Sequence, residues 1–349
     1  MATAPPPPPP PRTRDSQTIL LPDGRTLGFA EYGTGSGTPI IYLHGYPTSR
    51  LEAYALDALA RRRRLRLLAL DRPGFGLSSP QPGRRIADWP ADVAAFANQQ
   101  RLARFAVLGV SGGGPYALAC AAAAPLRGVL AGVGLLASAP PPDRETWGQL
   151  PRVTRLGYAA ARYFPALTRV LLSGLIGLTR WAVATGPVAR WIDALLDQAT
   201  QQRREKEFEE QRHKAETEGR PLLAAENAEV DDDATRPTAE RRAALVRMAF
   251  DGFAQGSGAA VQEARLLNED WGISLQDVDH RPLYIWHGAD DARAPVQLVR
   301  GLARRLPTAT LVEFPGAGHV AVGHYFDRVL AELVPSGGEG NFQDGVKGA

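Results

Sequence analysis

Gly109-Val110-Ser111-Gly112-Gly113 follows the apolar run Phe105-Ala106-Val107-Leu108 and opens the alanine-rich stretch Pro115 to Ala124. The run reads as a buried strand and the stretch as a helix, with Ser111 on the sharp turn between them. A serine hydroxyl is a poor nucleophile unless it is lifted clear of the chain, beside a base, with N–H groups ready for a developing oxyanion. Glycines at 109, 112 and 113 allow such a turn, since they tolerate strained dihedrals and close backbone approach. Glycine and serine are common, however, and the pentapeptide acquires meaning only from what surrounds it.

Outward from this turn, short apolar strands alternate with helical patterns. Ser16 to Leu21 and Thr26 to Tyr32 flank the turn Pro22-Asp23-Gly24 and read as a hairpin. Ile40-Ile41-Tyr42-Leu43 runs into His44-Gly45-Tyr46-Pro47, a helical pattern covers Arg50 to Arg63, and Arg66 to Leu70 ends at Asp71-Arg72-Pro73-Gly74. Asp88 to Gln99 has helical periodicity, and Val129 to Leu136 is again a strand. Leu283 to Trp286, the helix-like Val296 to Arg305, the strand Thr310 to Phe314 and a last helix over Val320 to Leu333 complete the series. Buried strands alternating with helices predict an α/β fold, a mostly parallel central sheet with helices on both faces.

The alternation stops between about Pro140 and Gly258. That region carries helix-period segments, Trp147, Trp181 and Trp191, and a highly charged stretch from Arg203 to Glu218. We expect an inserted all-helical cap over 141–258, with a charged mobile loop near 200–237. Asp231-Asp232-Asp233 lies in that loop, but three adjacent carboxylates cannot all face one ion, and no metal site is assigned. The core is expected over 16–140 and 259–335, between a proline-rich, disordered tail over 1–15 and a flexible tail over 336–349.

At 349 residues and 44% hydrophobic content the chain can bury a large core. Its formal charge is only +3, and Lys and Arg are spread among acids, which does not point to nucleic acid. The cluster Arg61 to Arg64 is explained by a solvated helix C-terminus. The single cysteine, Cys120, forms no intramolecular disulfide and reads as a small buried apolar residue, so a reducing, cytoplasmic setting is expected. The prolines from Pro5 to Pro11 suit an extended tail rather than a secretory leader. Tyr163 to Leu196 is the most hydrophobic later stretch, but Arg169, Arg180 and Arg190 interrupt it, so no transmembrane segment is expected.

In a sheet of this kind the chemistry collects at the carboxyl ends of the strands. The third strand leads to His44-Gly45-Tyr46, the fifth to Ser111-Gly112, the seventh to His287-Gly288-Ala289-Asp290-Asp291, and the eighth to Pro315-Gly316-Ala317-Gly318-His319. Acid and base thus follow the serine in the order Ser, Asp, His, each on its own loop.

With that order, and with the loop Asp71 to Ser78, residues 16–140 and 260–335 resemble the α/β-hydrolases. The resemblance implies Ser111 as nucleophile, His319 as base and Asp291 as the acid that orients the imidazole. It favours Asp291 over Asp290, because the pattern G-x-x-D-x-x-x-P matches Gly288, Asp291 and Pro295. It further implies an oxyanion hole from the backbone N–H groups of Tyr46 and Gly112, with His44 and Gly45 supporting the loop. His287 reads as a strand-end packing residue, His324 has no matched motif, and Asp143 is an alternative acid position. The chemistry implied is cleavage of a carboxylic ester through an acyl-enzyme, with no cofactor and a small, apolar acyl substrate bound beneath the cap. A Ser-His-Asp set serves lactonases, acyltransferases, carbon–carbon hydrolases, peptidases and cofactor-free haloperoxidases as well, and a ligand-binding protein without turnover is the reading from another class. Oligomeric state is left open by the sequence.

Overall fold

In the apolar strands, alternate side chains turn to opposite faces and both faces are buried. Ile41, Leu43 and Val107 join one core layer with Val93 and Phe96, whereas Ile40, Tyr42, Ala106 and Leu108 join another with Val329 and Leu330. A strand with no polar face must be covered by helices on both sides. The structure, a computed structural model, describes residues 13–138, 140, 147–218 and 236–335.

Eight strands make one sheet: β1 (Gln17–Leu20), β2 (Thr26–Gly33), β3 (Thr38–Leu43), β4 (Leu65–Leu70), β5 (Phe105–Val110), β6 (Leu130–Leu136), β7 (Leu283–Gly288) and β8 (Ala309–Phe314). Their order is β1-β2-β4-β3-β5-β6-β7-β8, antiparallel at β1, β2 and β4 and parallel from β4 onward. The helices are α1 (Asp57–Arg62), α2 (Trp89–Gln99), α3 (Gly114–Ala122), α4 (Arg152–Tyr163), α5 (Pro165–Ala184), α6 (Gly186–Glu218), α7 (Thr238–Asp251), α8 (Gly258–Leu266), α9 (Val296–Arg305) and α10 (Phe326–Leu333). Residues from α2, α3 and α9 enter the first core layer, and residues from α1 and α10 the second. Because the inner strands are parallel, β3, β5, β7 and β8 all deliver their following loops to the same sheet edge.

The chain divides into two compact units, Leu171–Phe250 and the remainder. The smaller unit is helical. Within it Arg241 Nη2 donates to Leu196 O at 2.6 Å and to Thr200 Oγ1 at 2.7 Å, and Arg242 pairs with Asp193, tying α7 to α6.

Several boundaries differ from expectation. The helix expected from Arg50 begins as a 3₁₀ turn over Arg50–Leu56, and that expected from Val320 begins as one over Ala321–Tyr325. The mobile loop expected from about residue 200 does not begin there: α6 continues to Glu218, through a run of helix formers free of Gly and Pro, with Gln201 donating to Glu205 one turn on. Residues 219–235, with Asp231-Asp232-Asp233, lie outside the described residues, as do 1–12, Asp143 and 336–349. At the end of the expected N-terminal tail, Arg14 O accepts from Glu31 N at 2.8 Å and Asp15 O from Arg50 Nε at 2.8 Å, so these two residues are held against the core. Arg169 and Arg180, expected to interrupt the apolar stretch, both lie within α5, one helix of 20 residues that is long and apolar enough to cross a membrane by length and composition alone.

Candidate active site

Ser111 has φ +50°, the left-handed region that L-residues other than Gly, Asn and Asp seldom adopt. Strand β5 ends one residue before it and a 3₁₀ turn leads at once into α3, so the chain reverses around this residue. The surroundings hold the conformation: Ser138 Oγ donates to Ser111 O, and the glycines beside Ser111 sit where a side chain has no room. A Cβ built on Gly112 would lie 2.8 Å from Tyr46 Cβ and 3.2 Å from Tyr46 N, so the two expected oxyanion donors come from touching segments. A Cβ on Gly45 would meet Ser111 Cβ at 3.5 Å and Glu52 Oε2 at 3.1 Å.

Ser111 Oγ lies 3.0 Å from His319 Nε2, and His319 Nδ1 lies 2.7 Å from Asp291 Oδ2. Three loops that follow β5, β7 and β8 therefore meet in one hydrogen-bonded chain. Asp291 Oδ1 accepts from Arg293 N at 2.8 Å and Ala294 N at 2.9 Å, which fixes the carboxylate plane. Burial raises the Asp291 carboxyl, but the bonds from His319 and Ala294 outweigh it, and the pKa lies below the ordinary carboxylate value. Asp290, by contrast, is exposed, and among the described residues its backbone N–H donates to Ala317 O. His287 is fully buried beneath the acid, with Nε2 2.7 Å from Ala294 O and 3.4 Å from Asp291 Oδ2. Burial above all depresses its pKa, and it stands as a neutral support. His324 falls in the exposed part of the turn after His319.

The His44–Tyr46 loop is held from both sides. Arg72 N donates to His44 Nε2 at 3.2 Å and His44 Nδ1 is 2.7 Å from Gly45 O, a pattern that requires the neutral Nδ1–H tautomer. Burial, then the cation of Arg72, keeps this imidazole well below its usual pKa. Gly45 N donates to both Glu52 carboxylate oxygens at 3.1 Å, and Thr48 Oγ1 and Tyr42 OH also donate to Glu52. The Gly45 N–H is thereby consumed, which leaves Tyr46 N–H as the donor of this loop nearest Gly112.

A buried ionic cluster supports the same loop and was not anticipated. Arg72 donates to the carbonyls of His44 and Gly45, and its Nε meets Glu263 Oε1 at 2.7 Å. Glu263 Oε2 accepts from Arg84 and, at 2.8 Å, from Tyr116 OH. All four side chains are buried. Burial works against the Glu263 carboxylate, but the two guanidiniums and their bonds hold its pKa below the ordinary value. The available signal was an acid on the apolar face of α8, flanked by the buried Ala260, Val261 and Ala264. Nothing comparable marked Glu52.

Beside the loop, Leu267 Cδ1 approaches within 3.3 Å of a Cβ built on Gly112. A cavity of about 170 Å³ opens between α4 and the end of α8, lined by Trp147, Tyr158, Arg162, Tyr163, Arg265 and Asn268 among others. None of Ser111, Asp291 and His319 lines it.

The profile of the Alpha/beta hydrolase family matches residues 40–333. A pimeloyl-[acyl-carrier protein] methyl ester esterase of Aromatoleum aromaticum is 43% identical over 54 residues, 16% of this chain and 21% of that protein. A non-heme chloroperoxidase of Streptomyces lividans is 32% identical over 127 residues, 36% of this chain and 45% of that protein. The chain thus spans less than half the length of the curated relatives it matches. Among solved structures, an esterase from Rhodococcus sp. ECU1013 superposes with TM-score 0.55 at 20% identity, covering 91% of this chain and 98% of the other, a likeness of fold.

Proposed function

Because the chain belongs to the alpha/beta hydrolase family, we propose that it is a serine hydrolase that cleaves a carboxylic ester through an acyl-enzyme on Ser111. The observation that carries this reading is the continuous chain from Ser111 Oγ through His319 to Asp291, at 3.0 and 2.7 Å. In the first half-reaction Ser111 Oγ attacks the acyl carbon and passes its proton to His319 Nε2. The carbonyl oxygen becomes an oxyanion that the N–H groups of Tyr46 and Gly112 stabilise. Collapse breaks the ester C–O bond, and the alcohol leaves with the proton from His319. Water then attacks the acyl carbon, gives its proton to His319, and Ser111 departs with that proton restored. Asp291 holds Nδ1–H toward itself throughout, which leaves Nε2 free to accept and stabilises the imidazolium.

Residues 141–258 would act as a cap that shapes an apolar acyl site; the helices α4 to α7 within that range support this role. The single buried cysteine supports work in a reducing compartment, the cytoplasm.

Fluorophosphonate labelling, combined with hydrolysis of p-nitrophenyl esters of graded chain length, tests the proposal. Wild type labels and turns over while Ser111→Ala does neither. A folded wild-type protein that resists the probe overturns it. The resemblance to a non-heme chloroperoxidase supports a second reading, in which the same Ser111–His319–Asp291 set promotes peroxide-dependent halogenation; a halogenation assay with peroxide, carboxylic acid and halide separates the two.

A further inference from the structure

We propose that α5 is an interfacial helix that seats the protein on the surface of an anionic lipid bilayer. Leu167, Leu171, Leu175, Leu178 and Trp181 recur at steps of four, four, three and three, which places them in one sector of the helix. All five are 56–67% exposed. The opposite side faces protein: Leu172, Ile176 and Val183 are half-buried, and Arg180 reaches Phe250, donating to its carbonyl at 3.2 Å with its guanidinium 5.3 Å from the ring centroid. An ordinary surface helix turns its polar side to water. Here the outward side is leucine and tryptophan, and no residue of the 20 is buried.

The charge pattern identifies the partner. Residues 147–192 contain six arginines, Arg152, Arg155, Arg162, Arg169, Arg180 and Arg190, and no Asp, Glu or Lys. Six positive charges stand here against a whole-chain formal charge of +3, so the rest of the chain carries −3. Pairing of this segment with that of a second copy would bring two positively charged segments together, which opposes association. An anionic bilayer complements both properties, since it attracts the net positive charge of this segment and accepts the leucines below headgroup level. Tryptophan ring systems favour that boundary, and Trp181 and Trp191 are 67% and 62% exposed.

The helix lies in the interface rather than across it. After α5 the chain must return to β7, and α7, on that return path, has 14 residues and carries Glu240, Arg241, Arg242 and Arg247. A return crossing needs about 20 apolar residues. Half of α6 is strongly charged and offers none.

The test is flotation of the full-length protein with vesicles of phosphatidylcholine alone and of phosphatidylcholine containing phosphatidylglycerol. Wild type should float with the anionic vesicles, and binding should weaken about tenfold or more at high salt or in the Leu171→Glu/Leu175→Glu/Leu178→Glu variant. The three sites are exposed, and far-UV circular dichroism checks that the variant is folded; Trp181→Ser gives a milder second variant that should also bind less. Failure of wild type to float, or equal binding by the folded variants, overturns the proposal. A dimer in analytical ultracentrifugation that the triple variant dissolves, without vesicle binding, overturns it in favour of a second copy.

Discussion

Arg72 and Glu263 meet at 2.7 Å with neither side chain exposed to solvent, although 191 positions separate them in the chain. One carboxylate here serves two guanidiniums, and one of those guanidiniums grips the carbonyls of His44 and Gly45. Removing one member of such a group leaves buried charge without compensation. Glu263→Ala is therefore expected to lose about 3–5 kcal/mol of stability, read as a lowered urea midpoint. Replacing Arg72, Arg84 and Glu263 together by apolar residues of similar volume should recover most of that loss, and a triple variant weaker than the single one would refute the account.

Loss of the proposed nucleophile should separate activity from stability. Ser111→Ala should lower kcat by about 10⁶-fold and leave the urea midpoint unchanged, because the substitution leaves no buried charge unpaired. Steady-state kinetics that retain turnover near wild type would remove Ser111 from the role.

The two adjacent aspartates differ in burial and bonding, and their variants should differ likewise. Asp291→Asn should reduce kcat by about 10⁴-fold, the scale for loss of a triad acid that fixes the imidazole tautomer. Asp290→Asn should stay within about threefold of wild type, as expected for an exposed side chain outside the chain of hydrogen bonds. Equal effects on kcat would undo the distinction.

Glu52 touches no reacting group, yet it takes the Gly45 N–H and the hydroxyls of Thr48 and Tyr42. Glu52→Gln keeps the shape and loses the charge, and we expect a fall in kcat of about 10–100-fold with little change in KM, because the proposed donor at Tyr46 would act mainly on the transition state. A change confined to KM would place Glu52 in substrate binding instead.

Acidification should destabilise the fold. Burial, foremost, keeps His44 and His287 below the ordinary 6.5, so below that pH the unfolded chain takes up two protons that the folded chain refuses. Their contribution is present above about pH 6.5 and is lost as pH falls, at roughly 1–1.5 kcal/mol per pH unit for each proton. Asp71 runs the other way: burial raises its carboxyl from 3.8 to about 6, against the pull of Arg50, so from pH 6 downward it offsets one of the two. Urea midpoints measured at pH 7, 6 and 5 should fall in that order; a midpoint that rises would mean that Asp71 outweighs both histidines.

That Ser111, Asp291 and His319 lie together was legible because each sits in a short local pattern at the end of an apolar strand, and strand ends in a parallel sheet share an edge. The choice of Asp291 over Asp290 was equally local. Arg72, Arg84 and Glu263 were not legible as a group, since ion pairing across 179–191 positions leaves no mark on sequence spacing. The exposed apolar face of α5 left no mark on linear spacing for a related reason. Arg169 and Arg180 interrupt the apolar run along the chain, but both fall on the side of the helix opposite the leucine stripe and do not interrupt that face.

The left-handed backbone at Ser111 has a use beyond chemistry. An unfolded chain seldom visits φ +50° at serine, and the turn persists here only because β3, β5 and the Ser138 hydroxyl close around it. A serine in a partly folded molecule should then be no more reactive than one in a peptide. Stoichiometric titration of Ser111 would therefore count native molecules, and the burst amplitude during refolding would follow completion of the sheet edge rather than formation of the helices.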